Sequence, residues 1–224
     1  MTIAAAVLVA AAVGALPAGI SRADVMLYTP ERWSSPGLQG WTNTMPDVTL
    51  ANNNNFLLIT FLDQGDPPVG APGDDIYTFS APATNMFVGG YPTNGNFAVL
   101  FNFLASNVAP ASVSVVFGVA TNAHEWAFPL AIPTVGVWTP YSVWFNYVWG
   151  WTCPGATESD FLADLQAVSY IGIHIDRGSA AEQYYGLDDF ELIPEPAELL
   201  LLAAALAGLF FVRRRRQRPP ACPA

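Results

Sequence analysis

The sequence predicts an all-β protein: a jelly-roll-type β-sandwich with one short helix, placed between an N-terminal signal helix and a C-terminal transmembrane helix. Three observations predict this. Apolar residues alternate with polar or small ones at period two through the middle of the chain. Pro-Gly and Asn-Gly pairs separate those runs at intervals suited to turns. The two ends alone carry unbroken apolar stretches.

The elements follow in order. Residues 3–16 form an alanine-rich apolar run that ends at Pro17, and Ser21-Arg22-Ala23 places small residues three and one positions before Asp24. That pattern reads as a secretory signal peptide over residues 1–23. Pro36-Gly37, the asparagine run 52–55 and Pro72-Gly73 mark loops, and Asn94-Gly95 suits a tight hairpin turn. Beyond that turn, Phe97, Val99, Phe101 and Phe103 share one strand face, and Val113, Val115, Phe117 and Val119 share another. Pro154-Gly155 marks a further loop, and a short helix is expected from about 159 to 167, with Ser159 as its cap and Phe161, Leu162 and Leu165 facing the core. Ile171, Ile173 and Ile175 alternate with Gly172, His174 and Asp176. About eight to ten strands fit the spacing of residues 24–193, which read as one domain without internal repeats.

Apolar residues make up 52% of the 224-residue chain and charged ones only 12%, which excludes a disordered protein. All eight basic residues are arginines. Five of them follow residue 212, and Arg22 lies in the signal segment. Between Asp24 and Ile193 only Arg32 and Arg177 remain, against every acidic residue except Glu195 and Glu198. A surface of that sign repels phosphate backbones, so no nucleic-acid partner is expected.

A hydrolytic centre is not indicated. The chain has no G-x-S-x-G, its two histidines are His124 and His174, and His124-Glu125 does not continue into H-E-x-x-H. Asp74-Asp75, Asp188-Asp189 and Glu191 are the carboxylates close enough in sequence for a glycosidase pair, but neighbours on a strand point to opposite faces. The expectation is therefore a non-enzyme without a cofactor. Cys153 and Cys222 fall on opposite sides of the C-terminal apolar stretch, so Cys153 is read as a lone loop thiol. Trp144, Tyr147, Trp149 and Trp151 cluster closely. Flat rings of this kind stack on sugars, and they also fill sandwich cores. Trp149 and Trp151 are the candidate sugar-stacking residues, because Gly150 and Cys153-Pro154-Gly155 end the strand in a loop.

Three stretches in the second half carry a family likeness: residues 138–146 (WTPYSVWFN), 161–174, and 184–192 (YYGLDDFEL). Together they resemble the C-terminal half of galactose-binding-like jelly rolls, a fold shared by carbohydrate-binding modules. The resemblance implies carbohydrate binding and a structural calcium ion held by an Asp of the last strand, here Asp188 or Asp189.

The C-terminus carries a second likeness. Pro194-Glu195-Pro196 precedes an apolar helix at about 197–212, whose residues 199–212 are all apolar, and Arg213, Arg214, Arg215 and Arg216 follow directly. The apolar span is short against the roughly 17–25 residues of an ordinary membrane helix. The arginines hold that flank in the cytoplasm. Residues 194–218 resemble a PEP-CTERM sorting signal, with 219–224 a disordered tail. The resemblance implies signal peptidase and exosortase as partners and an intermediate anchored in the inner membrane. It also implies a final place at the cell surface or outside it, where exopolysaccharide is the ligand at hand. Two alternatives stay open: a secreted glycoside hydrolase on the same fold, and a permanently anchored inner-membrane protein with an external domain.

Overall fold

The computed structural model describes residues 30–194 except 46, 54, 63–74, 79–85, 93–96, 123 and 180. The signal segment 1–23, Pro72-Gly73, Asp74, the Asn94-Gly95 turn, the sorting segment from residue 195 onward and the tail 219–224 lie outside the described residues. Among the described residues, no helix is long and apolar enough to cross a membrane.

Ten strands are described: β1 (Trp41–Asn43), β2 (Val48–Asn52), β3 (Leu57–Phe61), β4 (Asp75–Thr78), β5 (Phe97–Ala105), β6 (Ser112–Gly118), β7 (Glu125–Pro129), β8 (Trp138–Trp144), β9 (Tyr170–Asp176) and β10 (Gln183–Pro194). They form two antiparallel sheets, β1-β4-β9-β6-β7 and β2-β3-β10-β5-β8. From β3 onward every connection except β6–β7 passes from one sheet to the other, which is the jelly-roll manner of closing a sandwich. The last strand, β10, lies in the middle of its sheet between β3 and β5.

Burial follows the predicted alternation. Phe97, Val99, Phe101 and Phe103 of β5 face Val113, Val115 and Phe117 of β6 and Ile171, Ile173 and Ile175 of β9 across one core. Aromatic rings fill much of it: Phe97 stacks on Phe145 with centroids 4.5 Å apart, and Phe190 meets Trp41 and Phe87 edge-on at 5.1 Å. Pro194, read from sequence as the start of a linker, is the last paired residue of β10, opposite Phe97.

The helix α1 (Glu158–Leu165) is capped by Thr157, two residues before the expected Ser159. The reason is reciprocity. Asp160 stands three residues after Thr157, its carboxylate accepts the Thr157 backbone N–H at 2.8 Å, and the Thr157 hydroxyl accepts from the Asp160 N–H. Three residues after Ser159 comes Leu162, which cannot return a bond. Phe161 and Leu165 are fully buried as expected, and Leu162 packs against the core. The inner end of the helix delivers Asp164, only 4% exposed, to a set of donors: Trp126 Nε1 at 2.9 Å, His124 Nδ1 at 2.8 Å and Asn122 Nδ2 at 2.5 Å. This carboxylate ties the helix to the β6–β7 hairpin.

Candidate functional site

The outer face of the β2-β3-β10-β5-β8 sheet is assembled by register. Side chains directly opposite on neighbouring strands point the same way. Four rows therefore cross β10, β5 and β8: Gly186–Leu104–Trp138, Asp188–Asn102–Pro140, Glu191–Leu100–Ser142 and Ile193–Ala98–Trp144. Six residues along β8 separate the two tryptophan rows, a span of about 20 Å.

One end of this face is an aromatic platform. Trp138 lies over Gly186 and meets Phe56 edge-on at 5.5 Å. A Cβ at Gly186 would sit 2.7 Å from the Trp138 ring, so the absence of a side chain there is what lets the indole lie down. At the other end Trp149 meets Trp144 edge-on at 5.9 Å and is 53% exposed. Trp149 sits in a short 3-10 turn, Tyr147–Trp149, where the Asn146 side chain accepts the Val148 N–H.

Between the two aromatic ends the sheet is interrupted. The β5–β10 register shifts between Asp188 and Glu191, and Asp189 takes φ of 51°, a left-handed conformation that few non-glycine residues adopt. The bulge turns Phe190 into the core and its backbone to Glu31, with which it exchanges two hydrogen bonds of 2.8 and 3.2 Å. It also aims Asp189 outward. Arg32 Nε donates to Asp189 Oδ1 at 2.8 Å, and Asn102 Nδ2 donates to Asp189 Oδ2 at 3.2 Å. Beside this group lies a cleft of about 400 Å³, lined among others by Arg32, Asn102, Tyr141, Ser142, Asp189 and Glu191. The sequence rule that neighbouring acids face opposite ways fails here, because the extra residue in the bulge resets the alternation. Asp188, Asp189 and Glu191 all gather on one face.

Partial burial raises the Asp188 carboxyl above its ordinary range, and the neighbouring Asp189 charge adds to the shift. Burial likewise raises the carboxyl of Glu31, which is 7% exposed and accepts the Trp33 N–H at 3.0 Å. A raised carboxyl in the folded state contributes stability on the acid side, and that contribution is lost as pH rises through the folded value. Glu31→Gln keeps the acceptor and removes the charge. The variant is expected to melt above the wild type at neutral pH, and the two melting curves are expected to converge below the ordinary carboxylate range. A difference that grows toward acid would contradict this sign.

The sequence-predicted site residues divide. Trp149 is at the surface. Trp151 is not: it is 2% exposed, stacks on Phe145 at 5.1 Å, and donates its indole N–H to Trp144 O at 2.7 Å. The exchange of backbone hydrogen bonds between Thr152 and Ala127 draws the chain back against β7 and turns Trp151 inward. The calcium expected from the family resemblance does not suit this donor set. Asp189 is already matched by the Arg32 guanidinium, and among the described residues no three His, Cys, Asp or Glu side chains are grouped to hold a metal ion. His174 lies on the outer face of the opposite sheet, bonded to Asp176 at 3.0 Å, and Cys153 is a half-buried free thiol. Sequence reasoning missed Arg32, Asn102, Trp138 and the bulge. The Gly186 opposite Trp138 was the one signal that could have pointed to the platform.

No family model matches the chain, and no curated protein does. Solved structures do. An agarase matches with a TM-score of 0.53 at 14% identity, over 76% of this chain and 26% of the agarase. An exo-β-agarase matches at 0.51 and 7% identity, over 74% of this chain and 24% of the enzyme. The chain thus spans about a quarter of the length of these enzymes, and the likeness is one of fold. A family 11 carbohydrate-binding module from Clostridium thermocellum, solved with a β-1,3-1,4-mixed-linked tetrasaccharide, matches at 0.47 and 11% identity, over 71% of this chain and 91% of the module.

Proposed function

We propose that this protein is an exported, non-enzymatic polysaccharide-binding protein whose ligand lies along the outer face of β10, β5 and β8. The observation that carries the proposal is the cleft at the β10 bulge, on a sheet face that carries the exposed Trp138 at one end and the exposed Trp149 at the other. Trp138 and Trp149 offer flat apolar surface to sugar rings. Asn102, Ser142 and the terminal guanidinium nitrogens of Arg32 offer hydrogen bonds, with Asp189 holding Arg32 in place. The fold shared with parts of two agarases is in keeping with a polysaccharide ligand. For the ends, the same proposal takes residues 1–23 as the export signal and residues 194–218 as a PEP-CTERM tail read by exosortase. The final location is then the cell surface or the extracellular matrix.

Two experiments test it. Full-length protein in mild detergent, run through gels cast with soluble polysaccharides, is expected to be retarded by at least one, and Trp138→Ala to lose about tenfold in affinity, the worth of one stacking ring. No retardation by any polysaccharide would refute the binding role. Fractionation of cells making a tagged full chain is expected to find it exported and shortened at its C-terminus; cytoplasmic full-length protein would refute the sorting role. The gathering of Asp188, Asp189 and Glu191 favours hydrolysis as the second reading. Release of reducing ends that vanishes in Asp188→Asn or Glu191→Gln would establish it in place of simple binding.

A further inference from the structure

Resting on that reading of the cleft, we infer that its ligand is a glycan bearing free, protonated amino groups rather than an anionic one. Three features of the molecule converge on this class. Within the cleft, Arg32 is the single cation and is already matched by Asp189 at 2.8 Å, so Glu191 and the adjacent Asp188 remain as excess negative charge. Glu191 makes no side-chain hydrogen bond or ion pair among the described residues, and Asp188 is engaged only with the N–H of its neighbour and the nearby charges. Both carboxylates are half-buried, where an ammonium gains more from them than it would on an open surface. The exposed indoles of Trp138 and Trp149 at the two ends attract cations through their ring faces, and they do not favour carboxylates or sulfates. The whole domain lacks lysine and carries only Arg32 and Arg177 against its acids, so its field draws in a polycation and repels a uronate or sulfated chain.

The test uses the full-length protein and three hexasaccharides of one length: glucosamine, N-acetylglucosamine and galacturonic acid, titrated calorimetrically at a pH where the amine is protonated. The glucosamine hexamer is expected to bind about tenfold more tightly than its acetylated counterpart at low salt, with the gap closing as salt screens the pair. The galacturonate hexamer is expected not to bind. Glu191→Gln, a change of charge at nearly constant shape, is expected to move the amine-to-acetyl ratio toward one. Equal binding of the amino and acetylated hexamers, or preference for the uronate, overturns the inference and leaves the carbohydrate reading standing. Absence of binding to all three overturns the inference, and the carbohydrate reading falls with it only if the polysaccharide gels also show no retardation.

Discussion

Replacing Asp164 with alanine is expected to lower the stability of the domain by about 3–5 kcal/mol, the cost of leaving the partners of a buried carboxylate without it. The side chain is 4% exposed and receives hydrogen bonds from three residues of one hairpin, Asn122, His124 and Trp126. The Trp126 indole N–H is buried and has no water to turn to once the carboxylate is gone. The loss also unties α1 from β7, because Asp164 lies in the last turn of the helix and Trp126 in the strand. Asp164→Asn keeps the shape and one acceptor oxygen, and an intermediate loss is expected. Chemical denaturation measures both. An alanine variant within about 0.5 kcal/mol of wild type would show that the carboxylate does not tie the helix to the hairpin.

Trp151→Ala is expected to cost a further figure of the same size, about 3–5 kcal/mol, whereas Trp149→Ala costs less than about 1.5 kcal/mol. The two residues stand two apart in sequence and on opposite sides of the molecular surface. Trp151 is ringed by Phe117 at 5.1 Å, Phe145 at 5.1 Å and Phe128 at 5.5 Å, so its removal opens a cavity in the core and leaves the Trp144 carbonyl without its indole donor. Trp149 touches Trp144 edge-on and otherwise faces solvent. Its loss should appear in glycan affinity and hardly in melting temperature. Equal destabilisation by the two changes would contradict the placement of Trp151 as core and Trp149 as surface.

The long strands were legible because one of their faces is fully buried. Val99, Phe101 and Phe103 alternate with the partly exposed Leu100, Asn102 and Leu104, and that contrast is what period two reports. Strands such as Trp41–Asn43 and Asp75–Thr78 are too short for alternation to stand out. The helix was legible from its apolar spacing, but its start was misplaced because Asp in the reciprocal position is a weaker cue than Glu. The cleft was hardly legible at all. Its key feature is a left-handed aspartate, a conformation that sequence announces chiefly through glycine, and its cation comes from Arg32, 157 residues before Asp189. Trp151 was misread because Gly150 and Pro154-Gly155 speak for the path of the backbone and say nothing about which way the intervening ring turns. The terminal segments lie outside the described residues, so the reading of their roles still rests on residue order and charge.

The most direct measurement is a map of amide chemical shifts on isotopically labelled full-length protein as a bound oligosaccharide is titrated in. Shifts are expected to concentrate at Leu100, Asn102, Trp138, Ser142, Asp189 and Glu191, on the outer face of one sheet, with Ser114 and His174 on the outer face of the other unmoved. Shifts confined to the β6–β9 face, or to neither face, would contradict this placement.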